Sequence, residues 1–226
     1  SGDFDRSADI LEEVYLQRVK ELGTDNVILL SPYRTKTATG VNALNARLRD
    51  KLNPASPTKP ELTYGKRVFR QGDKVMQIKN NYQIEWEIVG RYNIPIDKGM
   101  GVFNGDMGRV KEINDTMSTL LVEFDDGRRV NYPFSALEEL ELSYAITIHK
   151  SQGSEYPAGI LPLLGGPRML FNRNLLYTGI TRARNCVTIL GSSETVRNMI
   201  ENVSENRRYT GLEQRIREIC CRPEND

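Results

Sequence analysis

Val27-Ile-Leu-Leu30 is an unbroken apolar run that stops at Ser31-Pro32. A strand with one wet face alternates apolar and polar residues, whereas one that is apolar throughout has both faces covered, as in parallel sheets flanked by helices. The neighbouring chain fits that arrangement. Residues 6–22 repeat apolar side chains at helical spacing through Ile10, Leu11, Val14, Val19 and Leu22 and close at Gly23. A second helix is expected from about Thr39 to Leu52, stopped by Asn53-Pro54. Strand, helix and loop in this order predict a parallel α/β layer.

The character changes after the proline-rich stretch Asn53–Pro60. Short strands are expected at Asp73–Ile78, Gly108–Ile113, Thr119–Phe124 and Arg128–Tyr132, separated by Gly and Asn-Asp punctuation at spacings that suit a small β-barrel. Val122-Glu-Phe124 and Arg129-Val-Asn-Tyr132 alternate on either side of Asp126-Gly127, which reads as a hairpin with a tight primed turn rather than an acidic metal-binding strand end. Three segments follow: 1–65 and 141–226 of α/β character, and 66–140 as an inserted β-module.

Chemistry concentrates in the last segment. Ile146-Thr147-Ile148 runs into His149-Lys150-Ser151-Gln152-Gly153, and ligands of open α/β sheets gather at the carboxyl ends of strands. Gly153 permits close backbone approach to an anion, Ser151 and Gln152 offer neutral donors, and Glu155 can accept from a ribose hydroxyl. An ordinary strand exit reads equally well on this turn alone. From Leu163 to Ser193 there are four arginines, Arg168, Arg173, Arg182 and Arg184, and no acidic residue. A solvated helix face usually mixes signs. Arg182, at the end of the apolar helix Leu175–Ile180, suits a guanidinium that forks onto phosphate oxygens during phosphoryl transfer. The alternative is a cap on the last helical carbonyls, which suits Arg184 better.

These residues carry a family resemblance. Thr147-Ile-His-Lys-Ser-Gln-Gly-Ser-Glu155 resembles motif V, and Tyr177-Thr-Gly-Ile-Thr-Arg-Ala-Arg184 resembles motif VI, of superfamily 1 helicases, particularly the RecD-like branch related to the exodeoxyribonuclease V alpha subunit. Leu30-Ser-Pro-Tyr-Arg34, Gly40–Asn45 and Leu52-Asn-Pro54 are similar to its motif IV region. The resemblance implies a RecA-like parallel-sheet domain with an inserted SH3-like β-barrel. It implies that Arg182 reaches the γ-phosphate of ATP, assisted by Arg34. Gly153 and Glu155 would face the nucleotide, and Thr147, His149 and Lys150 would face single-stranded DNA. His149 reads equally as a hydrogen-bonded turn residue. By the same resemblance, translocation would run 5′ to 3′.

No G-x-x-x-x-G-K-[ST] loop occurs, since the only Gly-Lys pair, Gly65-Lys66, continues into Arg67. Without that loop no backbone cradle or lysine grips the β- and γ-phosphates. The implied ATP and Mg2+ would be held mainly by a missing N-terminal RecA-like domain of the same parent chain, and this fragment alone is expected to be inactive. The opening Ser1-Gly2 reads as a cloning scar, which fits an excised piece. Recombination or repair subunits are further implied partners. The rival reading is a non-catalytic nucleic-acid or protein-binding module.

A formal net charge of +1 excludes a general basic slab, so nucleic acid must be met by local patches. One candidate is Arg34, Lys36, Arg47, Arg49 and Lys51, although a solvated helix surface suits its three distal residues better. Three cysteines, two of them adjacent at Cys220 and Cys221, make neither a disulfide framework nor a zinc site, so no metal is expected and a reducing cytosol is favoured. No apolar stretch approaches the length of a membrane span. The run Gln83–Gly101 departs from the family's short connection here. Its Trp86, Arg91 and Tyr92 can stack on bases, but packing against the β-module is the better reading because Glu85 and Glu87 disfavour a phosphate neighbour. Arg207–Asp226 reads as a helix and a frayed end.

Overall fold

The computed structural model describes residues 2–35 and 38–203. The expected terminal helix, Cys220, Cys221 and Lys36 therefore lie outside the described residues. In chain order the elements are α1 (Gly2–Leu22), β1 (Val27–Ser31), α2 (Val41–Leu52), β2 (Glu61–Tyr64), β3 (Arg67–Arg70), β4 (Lys74–Gln77), β5 (Asn81–Val89) and β6 (Pro95–Val102). There follow β7 (Met107–Asn114), β8 (Thr119–Phe124), β9 (Arg128–Pro133), β10 (Leu140–Leu142), β11 (Ala145–Thr147), β12 (Tyr156–Leu163), α3 (Arg173–Ile180), β13 (Ala183–Gly191) and α4 (Ser193–Glu201).

Four strands form a parallel sheet in the order β11-β1-β12-β13. The unbroken apolar run in β1 is explained by what covers each face. Val27 and Leu29 pack with Leu11 and Tyr15 of α1 and Leu44 and Leu48 of α2. Ile28 and Leu30 point the other way, into a cluster with Leu175 and Leu176 of α3 and Met199 of α4. The four apolar β1 side chains are fully buried, each worth roughly 1.5–3 kcal/mol relative to exposure.

The inserted region is a seven-stranded sheet in the order β10-β4-β7-β8-β9-β5-β6. Its pairings run linearly, and closure into a barrel is not part of them. Leu120, Val122 and Phe124 of β8 alternate inward, onto a core with Val110, Val130 and Tyr132. Asp125-Asp126-Gly127 joins β8 to β9 with Glu123 opposite Arg129. This corrects the expected two-residue primed turn. The loop has three residues, Gly127 takes φ +88°, and its amide donates to Phe124 O at 2.9 Å, so the left-handed residue comes last.

Gln83–Gly101 is not a loose connection. It is the β5–β6 hairpin, paired to β9 through Glu87–Arg129 and Ile88–Arg128. Trp86 lies flat against Gly99, where even a Cβ would come within 2.4 Å of the ring, and the Arg128 guanidinium stands 5.9 Å from the ring centroid. Packing is thus right for Trp86, whereas Tyr92 at the hairpin tip is 92% exposed.

Two buried polar groups tie the sheets together. Asp73 accepts from Asn53 Nδ2 at 2.7 Å, Tyr144 Oη at 3.1 Å and the Arg70 amide at 2.8 Å, while burial pushes its pKa up. Lys74 Nζ donates to Thr24 O at 3.3 Å, and burial, only partly offset by Asp25 and Asp125, brings its pKa down to about 8.

Candidate functional site

The polar residues singled out from sequence do not converge on one crevice. They divide between the carboxyl and amino edges of the parallel sheet. All four strands run the same way, so Ser31 and Thr147, paired in register, end at one edge, while Ser154, Glu155 and Arg182 precede the starts of β12 and β13 at the other. The turn from Ile148 to Glu155 connects them, descending from the Ile148 amide on Ser31 O to the start of β12 at Tyr156.

At the carboxyl edge, Arg34 follows β1 in a loop fixed by short-range bonds. Ser31 Oγ accepts from the Tyr33 amide at 3.1 Å and donates to Thr39 O at 2.9 Å, and the Asn42 amide reaches Arg34 O at 3.2 Å. The Arg34 guanidinium then pairs with Glu141 Oε1. Lys150, from the turn after β11, places Nζ 2.9 Å from the other oxygen, Oε2. Arg67 adds a third cation, its Nη2 lying 3.0 Å from Oε1 while its Nη1 donates to Leu140 O at 2.7 Å and Glu138 O at 3.1 Å. Thr147 Oγ1 accepts from the Lys150 amide at 3.2 Å, and His149 is exposed.

Ser151 is not an available donor. It is fully buried, and its hydroxyl donates to Ile148 O at 2.7 Å, a bond that tightens the turn. Gln152 is exposed. Gly153 takes φ +88°, with open space where a Cβ would stand, so a ligand can approach its backbone.

At the amino edge, Arg182 is partly buried against α3. Its Nη1 donates to Ser154 O at 3.1 Å, Nε to Thr178 O at 3.3 Å and Nη2 to Thr181 Oγ1 at 3.2 Å. The capping role expected of Arg184 therefore falls to Arg182. The cause is position. α3 ends at Ile180, so Arg182 still lies over the last turn, whereas Arg184 is already inside β13 and turns outward to Glu155 Oε2 at 2.7 Å. α3 approaches the sheet closely because Gly179 has no side chain, and a Cβ there would stand 2.5 Å from Leu161.

Beside Glu155 opens a cavity of about 370 Å³, walled by the 105–107 turn and the β8–β9 loop. Asp25, Asp106, Asp125, Asp126 and Glu155 line it against a single cation, Arg128, which is itself paired to Asp106 and Asp126. Such a lining repels phosphate and suits hydroxyl or amino donors. Burial raises the Asp125 pKa. No group of side chains with metal-ligand spacing occurs among the described residues.

The basic patch on α2 dissolves on inspection. Arg47 pairs with Asp9 and Glu12, Lys51 with Glu12 at 3.3 Å, and Arg49 with Asp50 at 2.9 Å and Val68 O at 2.9 Å. These cations tie α2 to α1 and to β3. Sequence reading missed Arg67 and Glu141, because Glu141 lies in an ordinary acidic stretch 107 residues from Arg34.

Comparison with known proteins brings these observations together. Residues 44–124 match the SH3 domain of ATP-dependent RecD-like DNA helicases, and residues 142–190 match the UvrD-like helicase C-terminal domain. An ATP-dependent RecD2 DNA helicase of Deinococcus radiodurans is 32% identical over 200 residues, 88% of this chain and 25% of that protein. The RecBCD enzyme subunit RecD of Mycolicibacterium smegmatis is 35% identical over 121 residues, 54% of this chain and 21% of that one. The chain thus spans about a quarter of the length of these relatives. A solved Pif1 helicase from Bacteroides in complex with ADP-AlF3 and ssDNA aligns over 86% of this chain and 46% of its own at 20% identity and a TM-score of 0.49.

Proposed function

This chain belongs to the RecD-like branch of the superfamily 1 helicases, and from that membership we propose that it is the trans-acting half of an ATP-driven 5′-3′ DNA motor. Residues 1–65 and 141–226 form its RecA-like domain in this reading, and residues 66–140 the inserted module. In this reading the β- and γ-phosphates and Mg2+ are held by another domain, which fits the lack of a P-loop sequence in the 226 residues. ATP supplies the phosphoryl group whose transfer drives the motor, and this chain supplies charge to it and a grip on the strand.

The observation that carries the reading is the state of Arg182, a guanidinium whose hydrogen-bond acceptors among the described residues are all neutral oxygens. Charge-assisted bonds are about twice as strong as neutral ones. A phosphate brought to the amino edge therefore displaces carbonyls from Arg182 without breaking an ion pair, and the gain grows as negative charge develops on the phosphoryl oxygens. In this reading Glu155, at the same edge, meets a ribose hydroxyl, and the open backbone of Gly153, two residues before it, meets an anion. Arg34, expected from sequence to assist, lies at the opposite edge and pairs with Glu141, so it stands outside this nucleotide site. Thr147, His149 and Lys150 then serve single-stranded DNA at the carboxyl edge.

Measuring ATP hydrolysis with and without single-stranded DNA, for this chain alone and joined to an upstream P-loop domain of its parent, tests the division of labour. Turnover confined to the joined form is expected. Strand-stimulated hydrolysis by the 226 residues alone would contradict it.

A further inference from the structure

Among the described residues, Glu141 alone takes three cations. Arg34 comes from the loop after β1, Lys150 from the turn after β11 and Arg67 from β3, while Glu141 itself lies in β10 of the inserted sheet. Lys150 Nζ stands 2.9 Å from Oε2 and Arg67 Nη2 3.0 Å from Oε1, the oxygen that Arg34 also holds. The neighbouring acids do not share the load. Glu138 pairs with Lys79, and Glu139 accepts from Gln77 and Asn81. Three positive charges against one negative leave a surplus of two at this point of the surface. On α2, by contrast, Arg47 and Lys51 face Asp9 and Glu12, and charge is balanced.

Surplus cations call for an anion, and the shape of the surface decides which kind. The recess lined by Arg34, Glu141, Thr147 and Lys150 has a volume of only about 10 Å³, whereas sites that enclose a small molecule hold about 300 Å³ or more. A free nucleotide or metabolite finds no enclosure here. A chain of phosphates lying across the surface needs no pocket, only cations along its path. The Arg34 side chain is 49% exposed and that of Arg67 33%, so both remain reachable from solvent while they pair with Glu141. Position agrees with this. Arg34 and Lys150 follow the ends of the paired strands β1 and β11, at the carboxyl edge where ligands of open α/β sheets gather, and opposite the edge that carries Arg182.

We propose that Arg34, Arg67 and Lys150 together form a clamp on the phosphodiester backbone of a single strand, with Glu141 as the carboxylate that holds the three cations side by side. This rests on the reading of the chain as part of a DNA motor. It gives two further arginines to the strand: Arg34, which sequence assigned to the nucleotide, and Arg67, which sequence did not single out. Arg34 and Lys150 belong to the parallel sheet, Arg67 to the β2–β3 pair and Glu141 to the inserted sheet, so the strand is held where the three meet.

The salt dependence of strand binding tests the clamp, because it counts phosphate contacts. The parent chain with its P-loop domain is titrated, without nucleotide, against a labelled oligothymidylate by fluorescence anisotropy at a series of chloride concentrations. Each phosphate contact on a single strand adds about 0.7 to the slope of log affinity against log salt. Arg34→Gln and Arg67→Gln should each flatten the slope by about that amount. Lys111→Gln, which removes a cation paired with Glu123 elsewhere on the inserted sheet, should leave it as in wild type. Arg67 also donates to Leu140 O and Glu138 O, whereas the Arg34 side chain bonds to Glu141 alone among the described residues, so Arg34→Gln decides the outcome even where Arg67→Gln folds poorly. A wild-type slope retained in Arg34→Gln, or an equal flattening in Lys111→Gln, would overturn the clamp and leave the proposed function standing. Strand binding abolished by inorganic phosphate but not by chloride at equal ionic strength would make free phosphate the occupant and overturn the strand. A wild-type protein that binds no oligonucleotide would count against the proposed function as well.

Discussion

The two edges of the parallel sheet treat their arginines in opposite ways. Among the described residues, Arg182 at the amino edge has uncharged acceptors and Arg184 pairs with the exposed Glu155; at the carboxyl edge, Arg34, Arg67 and Lys150 share Glu141. A cation held by carbonyls is positioned but not neutralised, and can turn to phosphate at a gain. A cation that shares a carboxylate cannot move without changing its neighbours. The first arrangement suits a catalytic charge that must be ready when a partner closes. The second holds three parts of the chain together.

The largest disturbance confined to one edge is expected from Gly179→Val. The added side chain collides with Leu161 and pushes α3 off the sheet, carrying Arg182 with it. A loss of roughly 1–3 kcal/mol by denaturant unfolding is expected, as for other overpacked cores. Oligonucleotide binding at the carboxyl edge should persist under conditions where the protein stays folded. Loss of both together would show that the edges are not independent.

Lys74 sharpens the comparison at the seam between β4 and the amino edge. Its folded pKa of about 8 lies below its ordinary value of 10.5. Between those values the unfolded chain holds a proton that the folded chain lacks, so stability rises with pH from about 8 towards 10. The penalty is fully present below pH 8. The buried tyrosines Tyr15, Tyr132 and Tyr144 have raised pKa values and act in the opposite sense, but only above about pH 10. Lys74→Met should therefore stabilise the protein by roughly 1–3 kcal/mol at pH 7, with the advantage fading by pH 10. A variant equally stabilised at both pH values would remove burial of charge as the cause. Smallest is Arg184→Gln. Both members of its pair with Glu155 are at least half exposed, so stability should change by less than about 1 kcal/mol in thermal unfolding.

Much of the fold could be read from particular residues. Val27–Leu30 announced a doubly covered strand, and the alternation at Leu120, Val122 and Phe124 announced a half-buried sheet, because both patterns follow directly from which faces are wet. The β5–β6 hairpin was opaque. Ile84-Glu85-Trp86-Glu87-Ile88 alternates as a strand with one wet face does, but its partner strand β9 begins 39 residues after Val89, so the pairing left no local trace. The chemistry was legible in kind but not in arrangement. Spacing located Arg182 and Arg184 near a helix end, but which one caps depends on α3 stopping at Ile180. Glu141 and Arg67 left no local signal at all, since their importance exists only once three distant pieces of chain meet.

The most direct test of the account is strand-stimulated ATP turnover by the parent chain carrying Arg182→Ala, with nucleotide affinity measured in parallel. A fall in kcat on the order of a thousand-fold with ATP affinity largely retained is predicted, the scale of a lost arginine finger. Near-normal turnover would mean that Arg182 is only the cap that its carbonyl partners make it, and that the amino edge is not the catalytic face.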